Sequence, residues 1–560
     1  MKKNLKNKLV GMTVAGAIVA SSFSYASSIN FVSADDKTKK PTNVIMMVMD
    51  GTSSGATTLA RWYKGEALAM EEIASGAVRT YSAESAITDS APAATALATG
   101  HKSNDKYIGV LPSVVNSPGL DQVAEEEAFK PVANVLEGAK KQGKATGIIS
   151  TSEIQHATPA GFSAHVTSRS NYGDIAEQQV YQGIDVVLGG GKEALQPGEE
   201  RNSRKDGEDL VRYLEGNGYD LVEDRNELLS SKSNKIWGAF APNALKYDLD
   251  RQTSKSNEPS LADMTKKAID TLSKDKDGFF LFVEGSKIDW SAHGNDTIGM
   301  ITDVIAFDDA VNEALKFAKK DGNTMVIAVS DHGNSGITIG NMNTSNTYTN
   351  IPVSTYVDPL KKATMTLEGA LTQLKEDKSN MKEVAALYGL DDLSDEEMKS
   401  LKEAKDARAL QSLMSKMLAN RANIGFTTGG HTGEDVFLYS YGPSRPFGTV
   451  ENTDLAKTMA KFMGFDLSKL TDELYVNAEG MYAKKGYTTE ILKDGNYENN
   501  EVFVATKGNV RIEFPINKNY ATVYRTVSSK TFKSTKKLDG ITVYNEKDFY
   551  IHSKASSLVK

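Results

Sequence analysis

The sequence predicts an α/β fold: a central, mostly parallel sheet flanked by helices, with a helical surface insertion and a small β-rich C-terminal module. Three observations carry that expectation. Short apolar runs recur along the chain, helical patterns lie between them, and metal-type side chains stand where the runs stop.

The runs are VIMMVM (44–49), TGIIS (146–150), IDVVLG (184–189), FFLFVEG (279–285), TMVIAVS (324–330) and VFLYSYG (436–442). Several are apolar at nearly every position, as strands covered on both faces require. ALAMEEIASG (67–76) and DVIAFDDAVNEALKFAKK (303–320) read as helices between them, and that alternation is the α/β signature. Residues 359–425 read as a charged helical insertion, a surface elaboration in which Ser394 to Glu397 forms a capping box. From about residue 484 the pattern changes to short alternating segments, EVFVAT, VRIEFPI, ATVYRTV and ITVYN, separated by turns. Residues 484–560 hold 14 Lys or Arg against 8 Asp or Glu, so this module is basic on an acidic chain.

Composition bounds the function. A chain of 560 residues with 39% hydrophobic and 25% charged residues, 45 Gly and 14 Pro is globular rather than disordered or collagen-like. The 65 Lys plus Arg against 73 Asp plus Glu give −8, which excludes a nucleic-acid partner on charge grounds. No cysteine is present, so disulfides, thiolate nucleophiles and thiolate metal sites are all excluded. Any metal must rest on His, Asp, Glu or hydroxyl ligands.

The basic MKKNLKNK followed by the apolar LVGMTVAGAIVA has the layout of a secretory signal, too short to span a bilayer. Cleavage fits after Ala26 or, preferably, after Ala34. The expected organisation is therefore a signal peptide over 1–34, a catalytic domain over 35–483 and the β-rich module over 484–560. The expected location is secreted, extracellular or cell-wall associated. The basic module would give at most weak association with an anionic wall.

Open α/β sheets place reactive groups just past the carboxyl ends of their strands. VIMMVM runs into Asp50 and TMVIAVS into Asp331-His332, while FFLFVEG contains Glu284 and precedes Asp289 and His293. Asp289 and His293 are spaced i, i+4, which puts carboxylate and imidazole on one helical face. His431, in GGHTGED, adds a further imidazole. Singly, each acid after a strand reads more readily as a helix cap than as a ligand. The cluster is harder to read that way, because the chain holds only seven histidines.

ITDSAPAATALATG (87–100) predicts a helix starting near Ser90, whose N-terminus favours an anion. Ser90 is either a plain cap or, beside metal ions, a nucleophile. HATPAGFSAHVTSR (156–169) offers the Thr158 hydroxyl to a hard cation and the Arg169 fork to two phosphoryl oxygens. GGGK (189–192) is rejected as a phosphate loop because Val186 stands where its first glycine belongs. His101, His165 and His552 read as structural.

The ordered set of Asp50, TDSA (88–91), HATP (156–159), TSR (167–169), VEGSKIDWSAH (283–293), SDH (330–332) and GGHTGED (429–435) resembles bacterial alkaline phosphatase, above all the secreted enzymes of Gram-positive bacilli. The resemblance runs from about residue 42 to 475. It implies hydrolysis of phosphate monoesters through a phosphoserine on Ser90. It further implies one Zn²⁺ on Asp289, His293 and His431, a second Zn²⁺ on Asp50, Asp331 and His332, and a third, Mg²⁺-type ion on Asp50, Thr158 and Glu284. Arg169 resembles the phosphate clamp and Asp89 the carboxylate that orients it. A homodimer is compatible with the resemblance.

Three departures stand out. His156 and Trp290 occupy places that are Asp and Lys in the enterobacterial enzymes, so Co²⁺ or Zn²⁺ competes with Mg²⁺ at the third site. Asn334 stands where a histidine supports the second zinc site in some relatives, and Pro92 interrupts the small-residue run after Ser90. The rival readings are a phosphodiesterase or sulfatase with a similar metal site, and an inactive surface-binding protein held by the basic module.

Overall fold

The computed structural model describes residues 42–493 and 500–558, so the leader expected over 1–34 lies outside the described residues. Eight strands of the main sheet come first in chain order: β1 (Asn43–Met49), β2 (Ala74–Arg79), β3 (Ala145–Glu153), β4 (Val186–Gly190), β5 (Asp220–Val222), β6 (Ile236–Ala239), β7 (Phe279–Gly285) and β8 (Thr324–Val329). With the strands Val436–Tyr441 and Gly448–Glu451 they form one ten-stranded sheet. Its order is Gly448–Glu451, β2, Val436–Tyr441, β8, β1, β7, β3, β4, β6, β5. Val436–Tyr441 runs antiparallel to both neighbours, and every other pairing is parallel. The mostly parallel sheet expected from the sequence is therefore present.

β1 shows why its residues are apolar throughout. Ile45, Met47 and Met49 belong to the hydrophobic cluster on one face of the sheet, and Val44, Met46 and Val48 to the cluster on the other. No strand position faces water, and each such burial contributes about 1.5–3 kcal/mol relative to exposure. The long helix Thr297–Asp321 packs on the first face, capped by Asp296, whose carboxylate accepts from Ile298 N and Gly299 N.

One expectation needs correction. ALAMEEIASG is not a helix: residues Ala69–Ile73 make a single 3-10 turn and Ala74 onward enters β2. The Asp308 carboxylate accepts from the Ala69 and Met70 amides and fixes the turn. Gly76 then lets Gly448 approach so closely that an added Cβ would lie 1.9 Å from the Gly448 oxygen. Tertiary pairing overrides local helix propensity here.

The insertion over 359–425 folds into short helices, including Asp395–Lys402 with the Ser394 capping box and Ala407–Arg421 with Asp406 as its cap. Leu367, Met381, Tyr388, Leu401 and Met414 join the main core cluster, so its apolar side is rooted in the body. Beyond it, Thr488–Lys493, Glu501–Lys507, Val510–Pro515, Tyr520–Val527 and Lys530–Lys537 form an antiparallel sheet in sequence order. Val476–Asn477, Phe549–Ile551 and Val543–Tyr544 form a second, three-stranded one. Ala478, Tyr482, Phe503, Phe514 and Phe549 share a separate core there. Among the described residues, no helix is long and apolar enough to cross a membrane.

Candidate active site

β1, β7 and β8 lie side by side in register, so their carboxyl ends deliver Asp50, Glu284 and Asp331-His332 to one place. The amide of Asp50 donates to Gly285 O (3.2 Å) and that of Gly51 to Asp331 Oδ1 (3.1 Å), which ties the three ends together. The helix Lys287–His293 starts directly after β7 and sets His293 Nε2 3.4 Å from Asp289 Oδ2. A two-residue ladder of Gly333–Asn334 against His431–Thr432 brings in His431.

Three histidines share one arrangement. Nδ1 of His293 faces Gly429 O (3.0 Å), that of His332 faces Gly333 O (3.2 Å) and that of His431 faces Thr88 O (2.8 Å). A ring nitrogen against a carbonyl carries a proton, so Nε2 is the atom each ring has left for a metal ion or, as at His293 beside Asp289, for a second proton. Nε2 of His431 and Nε2 of His293 point at each other across 3.1 Å, and the His332 and His431 rings stack at 3.7 Å. Two facing lone pairs repel unless a cation or proton lies between them.

The ligand atoms of Asp289, His293 and His431 fall within 4.8 Å of one another, as do those of Asp50, Asp331 and His332 and those of Asp50, His156 and Glu284. Asp50 Oδ2, Asp331 Oδ2, Glu284 Oε1, Thr158 Oγ1 and His156 Nδ1 are buried with no hydrogen-bond partner. Buried polar groups are ordinarily satisfied, and five orphans in one pocket are explained by divalent cations. The residues present therefore fit metal ions.

Electrostatics agree. Burial, then the charges of Asp331, Asp289 and Glu284, push the Asp50 carboxyl far above the usual range. Burial raises Glu284 to about 7 even though the Ser150 hydroxyl donates to its carboxyl. Burial also raises Asp289, but the His293 hydrogen bond and the nearby imidazoles outweigh it and hold the group well below the carboxylate range. The Asp289 bond lifts His293 to about 9, and burial with the Arg169 charge drops His156 to about 3. Such divergent neighbours mark a site built around charge it does not itself contain.

Ser90 opens the helix Ser90–Thr99, and its cap Asp89 accepts from the Ala91 amide. Its Oγ lies 3.1 Å from His332 Nε2 and 3.5 Å from Asp50 Oδ1. Pro92 sits within the first turn of this helix, which tolerates it. Arg169 pairs with Asp89 and places its second guanidinium nitrogen 2.9 Å from His156 Nε2. The Trp290 ring lies edge-on to His156 at 5.6 Å. All the residues singled out from the sequence thus converge on one pocket.

Sequence reasoning did not find Ser150, Ser286 or Gly51 as supporting groups, and it set Asn334 beside the second ligand set. Ser150 donates to Glu284 Oε2 (2.6 Å) and lies 2.8 Å from Ser286. Asn334 donates to Asp289 Oδ1 (2.7 Å), so it braces the first ligand set rather than the second. Gly51, at φ +61°, leaves room for Asp289, since a Cβ there would lie 2.2 Å from its Oδ1. His165 is satisfied by Gly109 O and by Glu137, and the acids Glu177, Asp206 and Glu208 are already paired with Arg204 and Lys518.

A model of the alkaline phosphatase family matches residues 41–465. Alkaline phosphatase 3 of Bacillus subtilis is 35% identical over 498 residues, covering 84% of this chain and 100% of that protein. Alkaline phosphatase 4 of the same organism is 36% identical over 485 residues, with 82% and 98% covered. The crystal structure of Thermus thermophilus alkaline phosphatase superposes with a TM-score of 0.67 at 28% identity, covering 76% of this chain and 92% of that one. A His-to-Asp mutant of TAB5 alkaline phosphatase with Mg bound in the M3 site superposes with a TM-score of 0.54 at 26% identity, covering 77% and 100%.

Proposed function

The chain belongs to the alkaline phosphatase family and is a metal-dependent phosphomonoester hydrolase, and we propose that it works through a phosphoserine on Ser90. The observation that carries this reading is the Ser90 hydroxyl at a helix N-terminus, 3.1 Å from His332 Nε2 and beside a cage of buried, unsatisfied acids.

Asp289, His293 and His431 would hold one ion, Asp50, Asp331 and His332 a second, and Asp50, Thr158 and Glu284 a third. The first two sets mix imidazole and carboxylate and suit Zn²⁺. The third set is all oxygen and suits Mg²⁺, but His156 lies in the same cluster and draws it toward Zn²⁺ or Co²⁺. When bound, the ions supply Lewis acidity and positive charge that lower the pKa of a hydroxyl or water and offset the charge of the phosphoryl group.

The chain's own residues do the rest. Arg169, held by Asp89, offers its guanidinium to the phosphoryl oxygens, and the second negative charge of a monoester gains more from that cation than the single charge of a diester. The amides at the start of the Ser90 helix add their partial positive charge. Ser90 Oγ yields its proton to solvent and bonds to phosphorus as the ester P–O bond breaks, and the leaving alkoxide takes a proton from solvent. Water oxygen then bonds to the same phosphorus, the Oγ–P bond breaks, Oγ regains a proton and inorganic phosphate departs.

The basic and apolar leader supports export, with the catalytic domain over 35–483 and the basic module over 484–560 carried outside together. The test is acid quench of enzyme turning over an aryl phosphate, followed by peptide mass spectrometry. Phosphate on Ser90 is expected, together with loss of turnover in Ser90→Ala and after chelation. Full activity of Ser90→Ala, or a diester rate equal to the monoester rate, refutes it.

A further inference from the structure

The C-terminal sheets lie beyond residue 465, where the family match stops, yet they reach back to the segment that carries Arg169. Asn517 follows the strand Val510–Pro515, is 1% exposed and has φ +62°. Its Nδ2 donates to Asp174 Oδ1 (3.0 Å) and Glu177 Oε2 (3.0 Å), and its Oδ1 accepts from Gln178 Nε2 (2.9 Å). Gln178 in turn clamps the main chain at His165: its Oε1 accepts from His165 N (2.7 Å) and its Nε2 donates to His165 O (3.0 Å). The next residue, Lys518, is fully buried and its ammonium pairs with Glu177 and with Glu208, the latter at 2.7 Å. A separate tie joins Thr167 Oγ1 to Glu546 Oε1 (2.7 Å), and Glu546 itself has φ +70°.

These contacts land at residues 165, 167, 174, 177 and 178, on both flanks of Arg169. We propose that the C-terminal module is a positioning element for the phosphate-binding arginine, acting through Asn517 and, at the rim, through Glu546. The inference rests on the reading that Arg169 grips phosphate. Arg169 is on a connection between helices, not within one; its amide donates to Lys106 O (2.7 Å), and among the described residues its guanidinium is held by Asp89 and His156. A long side chain on such a segment is only as well placed as its backbone, and a small displacement of a clamp costs heavily in affinity. Asparagine suits the hub because one side chain donates to two carboxylates and accepts from an amide at once. It also tolerates the left-handed backbone that aims it inward.

The test uses the full-length holoenzyme and the inhibition constant of inorganic phosphate. Asn517→Gly removes the three side-chain bonds while the backbone keeps its φ without strain. Thr167→Val removes the rim tie, and Thr167→Ser restores it. Asn517→Gly should raise the phosphate inhibition constant and KM together by about three- to tenfold, with kcat changed by less than about twofold and metal content unchanged. Thr167→Val should move both in the same direction, and Thr167→Ser should return them to wild type. In an Arg169→Ala background neither substitution should shift the constant further, since the effect passes through that arginine.

If Asn517→Gly fails to fold, Thr167→Val and its rescue decide the matter. Inhibition constants within about twofold of wild type in the folded variants, or equal shifts with and without Arg169, overturn the inference while leaving the role of Arg169 intact. No effect of Arg169→Ala by itself removes that role and the inference with it.

Discussion

Protein stripped of its ions should lose stability as pH rises toward neutrality, and Glu284 contributes a share of the loss that one substitution isolates. Burial raises this carboxyl from 4.5 to about 7. Below pH 4.5 it is protonated in both folded and unfolded chains and costs nothing. As pH passes from there to about 7 the unfolded chain ionises first, and the folded state falls behind by about 3 kcal/mol. His156 acts in the opposite sense: burial and Arg169 hold it at about 3, so it destabilises the fold at acid pH and stops doing so as pH climbs past 6.5. Comparison with Glu284→Gln cancels that contribution. Urea unfolding of both proteins in excess chelator should show the stability gap widening in favour of the glutamine variant by about 3 kcal/mol between pH 4.5 and about pH 8. Restoring ions should reverse the sign, because the ionised carboxylate is then the useful form. A gap that stays constant with pH refutes the argument that uncompensated burial governs this group.

Asn334→Ala removes the donor on Asp289 Oδ1 and should weaken zinc binding at the first ligand set by about 10- to 100-fold, read by competition with a chromogenic chelator. Gly51→Ala should cut kcat/KM at least about tenfold, because its Cβ and Asp289 Oδ1 claim the same space; titration of activity with added Zn²⁺ checks it. His156→Asp replaces an imidazole by a hard oxygen beside Asp50 and Glu284, so its activity should become dependent on Mg²⁺, measured by reactivation of chelated enzyme with Mg²⁺, Co²⁺ and Zn²⁺ in turn.

Much of the molecule was legible because its physics is local. β1, β7 and β8 are covered on both faces and read as unbroken apolar runs, and Asp50, Glu284 and Asp331 stood out as ligand types at their ends. β2 was not legible: its burial alternates weakly, and what decides it is the close passage of Gly76 and Gly448 and the cap from Asp308. The histidine orientations were equally hidden, since Thr88, Gly333 and Gly429 act through main-chain carbonyls that leave no trace in side-chain identity. The alternating strands of the C-terminal module were visible, whereas their attachment through Asn517 and Lys518 depends on partners more than 300 positions away.

The strand made first is also the one in the middle. Asn43–Met49 pairs only with segments that begin at Phe279 and Thr324. A ribosome therefore releases a stretch of bare hydrocarbon, and residues 50 to 278 must all follow before either edge of it can be hydrogen-bonded. Chains with such remote pairings collapse slowly and expose sticky surface meanwhile. Refolding from urea should therefore give better yields as the protein concentration is lowered.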